Sequence, residues 1–226
     1  MITIRKNAFE TNSSSCHSIT FNNNDELNLN DVDFLEATAS GGYCGSSNYQ
    51  FDEEYGYKYD AGEELTNPHN KFDYAMVCFV EYLNRKARKE DKLSWYESHP
   101  DKKDPNVDSE YSEYMMPLPE EVYIELCKEY NDTRDHILET FKNRGVVVNW
   151  NISEPSSLEE INTSRNYKGT PWIRDFIEID GYIDHGSSCS QHAPDAWELA
   201  EMCKRPEELF DFVFRPSNKI FIQYVG

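Results

Sequence analysis

Two short segments hold most of the side chains whose types and spacing could do chemistry. The first, residues 10–18, reads Glu10-Thr11-Asn12-Ser13-Ser14-Ser15-Cys16-His17-Ser18. Asn and Ser side chains bond to nearby backbone and hold turns in which several N–H groups face one point. Asn12, Ser13, Ser14, Ser15 and Ser18, together with His17, are therefore candidate ligands for a phosphate, another anion or a nucleotide. The same residues also make an ordinary hydrogen-bonded turn between two strands. The second segment, residues 183–192, reads Ile183-Asp184-His185-Gly186-Ser187-Ser188-Cys189-Ser190-Gln191-His192. Here Asp184 could orient a histidine, His185 could act as general base, and Ser187 or Cys189 could be the nucleophile. Asp184 and His185 are sequence neighbours, so on a strand they point to opposite faces and do not pair automatically.

The His185-x-Ser187 spacing resembles the His-x-Ser/Thr element of two-histidine phosphoesterases. That chemistry needs two such elements, and the residue two after His17 is the apolar Ile19. Cys189-x-x-His192 has a ligand-like spacing and Cys16-His17 could add to it, but no second pair completes a conventional metal site, so none is expected. No P-loop, Rossmann fingerprint, HExxH, GxSxG or EF-hand pattern occurs, and no cofactor is implied.

These segments must be positioned by the elements around them. Residues 2–6 and 18–21 read as short strands flanking the first loop. Phe72, Ala75, Met76, Phe79, Val80 and Leu83 repeat at helical spacing and predict a helix over 71–89 with one buried face. Its basic end (Arg85, Lys86, Arg88, Lys89) suits the negative pole of the helix dipole. Residues 90–117 lose all periodicity and read as a polar insertion or mobile loop. Pro119, Glu120 and Glu121 open a second helix over about 118–143, with Gly145 as its stop and Asn131-Asp132 as a candidate break. Val146-Val147-Val148 reads as a short buried strand. Ser157-x-x-Glu160 fits a capping box. Ile177, Ile179 and Ile183 alternate with polar residues and predict a strand over 176–183, running into the second loop. Helices are expected from about Asp195 towards Cys203 and from Pro206 to Phe214, and a strand over 219–225. This is an α+β pattern: a mixed, largely antiparallel sheet with about four helices packed on it, in a single domain spanning 1–226.

The charge balance restricts the partners. The chain has 226 residues, with 42 acidic against 22 basic and a formal net charge of −20. Such a field repels phosphate backbones, which argues against generic DNA or RNA binding and in favour of a basic protein surface. Plain solubility would produce the same charge. Residues 40–66 combine glycines and tyrosines with acids and have no clear period. Within them Asp52, Glu53, Glu54, Tyr55, Tyr57, Tyr59, Asp60, Glu63 and Glu64 form a candidate partner-binding segment, since Tyr gives contact area at small entropic cost. The six cysteines are scattered without a CxxC pair, which suits a reduced, cytoplasmic compartment. No apolar stretch has signal-peptide or membrane-span character.

Three segments together resemble a protein group found in phages and low-GC Gram-positive bacteria. They are Arg5-x-x-x-Phe9-Glu-Thr-Asn-Ser-Ser-Ser-Cys-His-Ser18, the later Gly181-Tyr-Ile-Asp-His185-x-Ser, and the closing Phe212-Val-Phe-Arg-Pro-Ser217 followed by a strand. The resemblance covers the chain ends and weakens through 90–175. It implies a phage or mobile-element origin, and it implies that the two Ser/His loops meet in one pocket holding His17, His185, Asp184 and serine hydroxyls.

Two functions are then expected from different classes. One is an acidic anti-defence inhibitor, of the anti-CRISPR kind, that covers the basic surface of a host nucleic-acid-handling protein such as a CRISPR effector. The other is an enzyme, a phosphoesterase, nuclease or nucleotide-modifying activity, with His17, His185, Asp184 and Ser187 as its catalytic set. A structural or regulatory protein without a pocket is the plainest reading.

Overall fold

The computed structural model describes residues 16–21, 25–29, 32–39, 42–44, 57–59, 64–102, 116–163, 175–178, 182–184 and 194–223. The α+β class holds, and helix dominates. Among the described residues the strands fall into three sheets. An antiparallel sheet has the order β1 (Cys16–Thr20), β8 (Lys219–Gln223), β5 (Glu64–Leu65). A parallel pair joins β2 (Phe34–Ala37) to β6 (Val147–Trp150). A second parallel sheet has the order β4 (Tyr57–Tyr59), β3 (Gly42–Cys44), β7 (Tyr182–Asp184). The chain divides into two compact units, residues 1–79, 135–152 and 179–226 in one and 80–134 with 153–178 in the other.

The first unit carries all three sheets. Its core forms because helix α1 (Pro68–Arg85) presents Phe72, Ala75, Met76 and Phe79 at the expected spacing, all fully buried. Helix α3 (Glu120–Asn143) runs unbroken through Asn131-Asp132 and supplies Ile137 and Phe141. Gly145 ends it at φ +86°, a conformation that favours glycine, and its N–H donates to the Lys142 carbonyl at 3.0 Å. Phe141 sits within an aromatic cluster, its ring centroid 5.3 Å from Phe72, 5.0 Å from Phe210 and 6.3 Å from Phe214. The last two belong to helix α6 (Pro206–Phe214), which follows helix α5 (Pro194–Cys203) after a two-residue turn.

The end of α6 explains the Phe-x-Phe-x-Pro-Ser segment in structural terms. The last carbonyls of a helix lack intrahelical donors. Here the buried Lys71 ammonium donates to the carbonyls of Phe212 (3.2 Å), Arg215 (2.9 Å) and Asn218 (3.1 Å). The Asn28 amide donates to the Phe214 carbonyl at 2.9 Å. The Ser217 amide donates to the Asp25 carboxylate at 3.1 Å, and Arg215 donates to the Asp25 carbonyl. The turn thus leads α6 into β8, the central strand of the antiparallel sheet.

The second unit is helical. A single π-type turn, Lys86–Glu90, separates α1 from helix α2 (Asp91–Ser98). The basic run at the end of α1 does more than face the helix dipole. Lys86 pairs with Glu129 at 2.6 Å and Asp91 at 3.2 Å, Arg85 with Glu90 at 2.9 Å, and Arg88 with Asp175. The expected polar insertion therefore begins as a helix, anchored by buried Tyr96 and Lys92, whose head groups donate to the Pro117 and Met116 carbonyls. Helix α4 (Leu158–Thr163) starts with the expected capping box: the Ser157 amide and hydroxyl bond the Glu160 carboxylate at 2.9 and 2.8 Å.

Two asparagines secure irregular backbone in this unit. Asn84 donates to the Ile177 carbonyl at 2.9 Å and accepts from its N–H at 2.8 Å. Asn162 does the same for Leu118, at 3.0 and 2.7 Å. Residues 175–178 are thus a clamped bend where the expected strand over 176–183 should begin, and Tyr182–Asp184 at its end is extended. Replacing Asn84 by alanine leaves a buried N–H and C=O without their partner and is expected to destabilise the protein by about 2 kcal/mol. Urea titration of the variant checks this, and a midpoint equal to wild type would contradict it.

Candidate binding surface

The structure places the predicted loop residues on separate sheets as far as their backbone is described. His17 and Ser18 lie in β1, opposite Ile222 and Phe221 of β8. Asp184 ends β7, in register with Cys44 of β3. Asn12, Ser13, Ser14, Ser15, His185 and Ser187 lie outside the described residues. In the acidic-tyrosine segment, Tyr57 and Tyr59 form the ends of β4, opposite Gly42 and Tyr43. The parallel sheet therefore carries both part of the tyrosine segment and Asp184. Asp52, Glu53, Glu54, Tyr55, Asp60 and Glu63 lie outside the described residues. Glu64 is in β5, with its carboxylate 2.6 Å from the Lys219 ammonium.

A groove of about 680 Å³ runs along α5 and α6. Phe21, Met202 and Phe212 supply its apolar surface, and Phe21 and Phe212 pack with their centroids 5.3 Å apart. Among the described residues its polar groups are four carboxylates (Glu198, Glu201, Glu208, Asp211), two guanidinium groups (Arg205, Arg215) and Asn218. Sequence reading missed this groove, although the signal was present. Glu198, Glu201, Met202 and Arg205 stand at i, i+3, i+4 and i+7, as do Glu208, Asp211, Phe212 and Arg215.

Most of these charges are paired. Arg205 bonds Glu208, Lys204 reaches Glu201 at 2.9 Å, and Arg215 and Arg144 each reach Asp211 at 2.9 Å. Burial pushes the Asp211 carboxyl up, but the bonds from Arg215 and Arg144 outweigh it and hold it below its ordinary value. Among the described residues that line the groove there is no cysteine, histidine or hydroxyl nucleophile.

Other chemistry finds little support. Among the described residues no group of three or more His, Cys, Asp or Glu is arranged to hold a metal ion. Cys78, Cys127 and Cys203 are free thiols, two of them buried. No described helix is long and apolar enough to cross a membrane. No protein-family model, curated protein or solved structure matches the chain.

Proposed function

We propose that the protein works by binding, as an acidic inhibitor that covers the basic surface of a host nucleic-acid-handling protein. The observation that supports this is how its charges are distributed. Several basic groups are covered: Lys71 and Lys92 are buried, and Lys86, Arg134 and Arg215 are mostly covered in ion pairs, whereas Lys89, Lys102, Lys128 and Lys142 are exposed. Among the acids, Glu26, Asp33, Glu36, Glu97, Glu120, Glu121, Glu125 and Asp132 are exposed, and Asp73 is buried. With a net charge of −20, the protein carries a large acidic excess. Such a field steers a basic partner to the protein and repels nucleic acid. Glu64 is already engaged by Lys219, so contact falls to its neighbours Asp52, Glu53, Glu54, Asp60 and Glu63, with Tyr55, Tyr57 and Tyr59.

The test is affinity capture from the lysate of a low-GC Gram-positive bacterium, washed at low and at high salt. One stoichiometric basic partner is expected, with affinity falling about tenfold or more at high salt. Neutralising Asp52, Glu53, Glu54, Asp60 and Glu63 to their amides should weaken capture to a similar degree. The His17→Ala/His185→Ala variant should retain the partner. Loss of capture in that variant alone, or capture indifferent to salt, would count against the binding reading.

A further inference from the structure

The pair β2–β6 is an unusual surface for a parallel sheet. Parallel strands are normally covered on both faces. Here one face holds the buried Leu35 and Ala37, while the other exposes Phe34 and Val147, which are register partners, at 48% and 56%. The Phe34 ring is supported by the edge of His69, centroids 5.9 Å apart. Beside this apolar couple stand Asp33 and Glu36, both exposed.

The edge of β2 turned away from β6 carries backbone groups of its own. The Val147 and Asn151 amides donate to the Asp33 and Ala37 carbonyls. In a parallel ladder the residues turned towards the partner alternate, so Asp33, Leu35 and Ala37 face β6. The N–H and C=O groups of Phe34 and Glu36 face the other way. Among the described residues no third strand joins this pair. Unpaired strand edges invite another strand, and apolar side chains next to them add affinity.

We propose that the β2 edge is where an extended segment of a basic partner adds as a third strand. Its backbone would pair with Phe34 and Glu36, its apolar side chains would cover Phe34 and Val147, and its Lys or Arg side chains would meet Asp33 and Glu36. Charge selects this occupant. A second copy of the chain would bring another −20 to the contact, whereas a basic strand neutralises it. The inference rests on the reading of the protein as a binder of basic surfaces.

The probe is a fluorescent hexapeptide of alternating valine and lysine, titrated by anisotropy. A second peptide of the same sequence is N-methylated at every residue, which keeps charge and apolar groups but removes the strand donors. The proposal expects the plain peptide to bind at least about tenfold tighter than the methylated one. Glu36→Lys and Phe34→Ser, both at exposed positions where the fold tolerates change, should each weaken it about tenfold. Equal binding of the two peptides, no binding of either, or dimerisation of the chain through Phe34 would overturn the proposal. Lysate capture separates the two levels. A salt-released partner that is held equally by wild type and Phe34→Ser/Glu36→Lys overturns the β2 edge but leaves the acidic binder standing. Absence of any such partner, together with no peptide binding, removes both.

Discussion

Replacing Lys71 by methionine is expected to destabilise the protein by about 3 kcal/mol, although the substitution removes a buried charge. Burying an ammonium is costly, and methionine would recover that cost with a similar shape. The three carbonyls at the end of α6 then lose their common donor, and the site is too covered for water to replace it freely. Equilibrium denaturation at neutral pH measures the outcome. A variant as stable as wild type would show that the carbonyls find other donors.

The same lysine gives stability a pH dependence. Burial pulls its pKa down to about 8 from an ordinary 10.5. Between those values the unfolded chain binds the proton and the folded one releases it, so stability rises with pH across that window. It is lost as pH falls through about 8. The gap between wild type and Lys71→Met should therefore widen from pH 8 to 10.5, by at most about 3 kcal/mol. The three carbonyls favour the ammonium and keep the widening below that ceiling. A gap that is flat across the window would mean that they cancel the effect of burial.

Phe141→Ala is expected to be more damaging, costing about 4 kcal/mol. Its ring touches the rings of Phe72, Phe210 and Phe214, and all four side chains are buried. Deleting it opens a cavity between three rigid rings that cannot collapse easily. Thermal and urea unfolding test this, with Phe141→Leu as the control that fills most of the space. A Phe141→Ala variant within about 1 kcal/mol of wild type would mean that the cluster repacks.

Periodicity was legible wherever a helix is long and buries apolar residues. The face Phe72–Leu83 lies where its spacing demands, and α6 runs from Pro206 to Phe214 as its composition indicates. Local chemistry was legible too, in the capping box at Ser157 and the glycine stop at Gly145. Helix α2 was not, because one of its two buried residues is Lys92, and a buried lysine looks like a polar position in sequence. The alternation of Ile177, Ile179 and Ile183 misled for a related reason. Adjacent Phe176 and Ile177 are both buried in a bend held by Asn84, a side-chain contact that no period records. Val146-Val147-Val148 reads as a buried strand, yet Val147 is exposed, Val148 is half-buried and only Val146 is fully covered. Three β-branched residues favour extended backbone without saying which face is covered. The α5–α6 groove escaped because charged residues at helical spacing look like a solvated face until two such faces meet.

The free thiols have a practical consequence. Cys78 and Cys203 lie in the first unit and Cys127 in the second. Burial pushes the Cys203 thiol far above its ordinary value, and its sulfur donates to the carbonyls of Ala75 and Leu199. An alkylating reagent reaches such a sulfur only when the surrounding helices part, so its rate of modification counts openings of the first unit. Cys127 in the second unit is only partly covered, beside Tyr123, and is alkylated without such an opening. Mass spectrometry of timed alkylation thus reads the opening of the first unit from wild-type protein, with no label introduced and Cys127 in the same sample as the readily reached thiol.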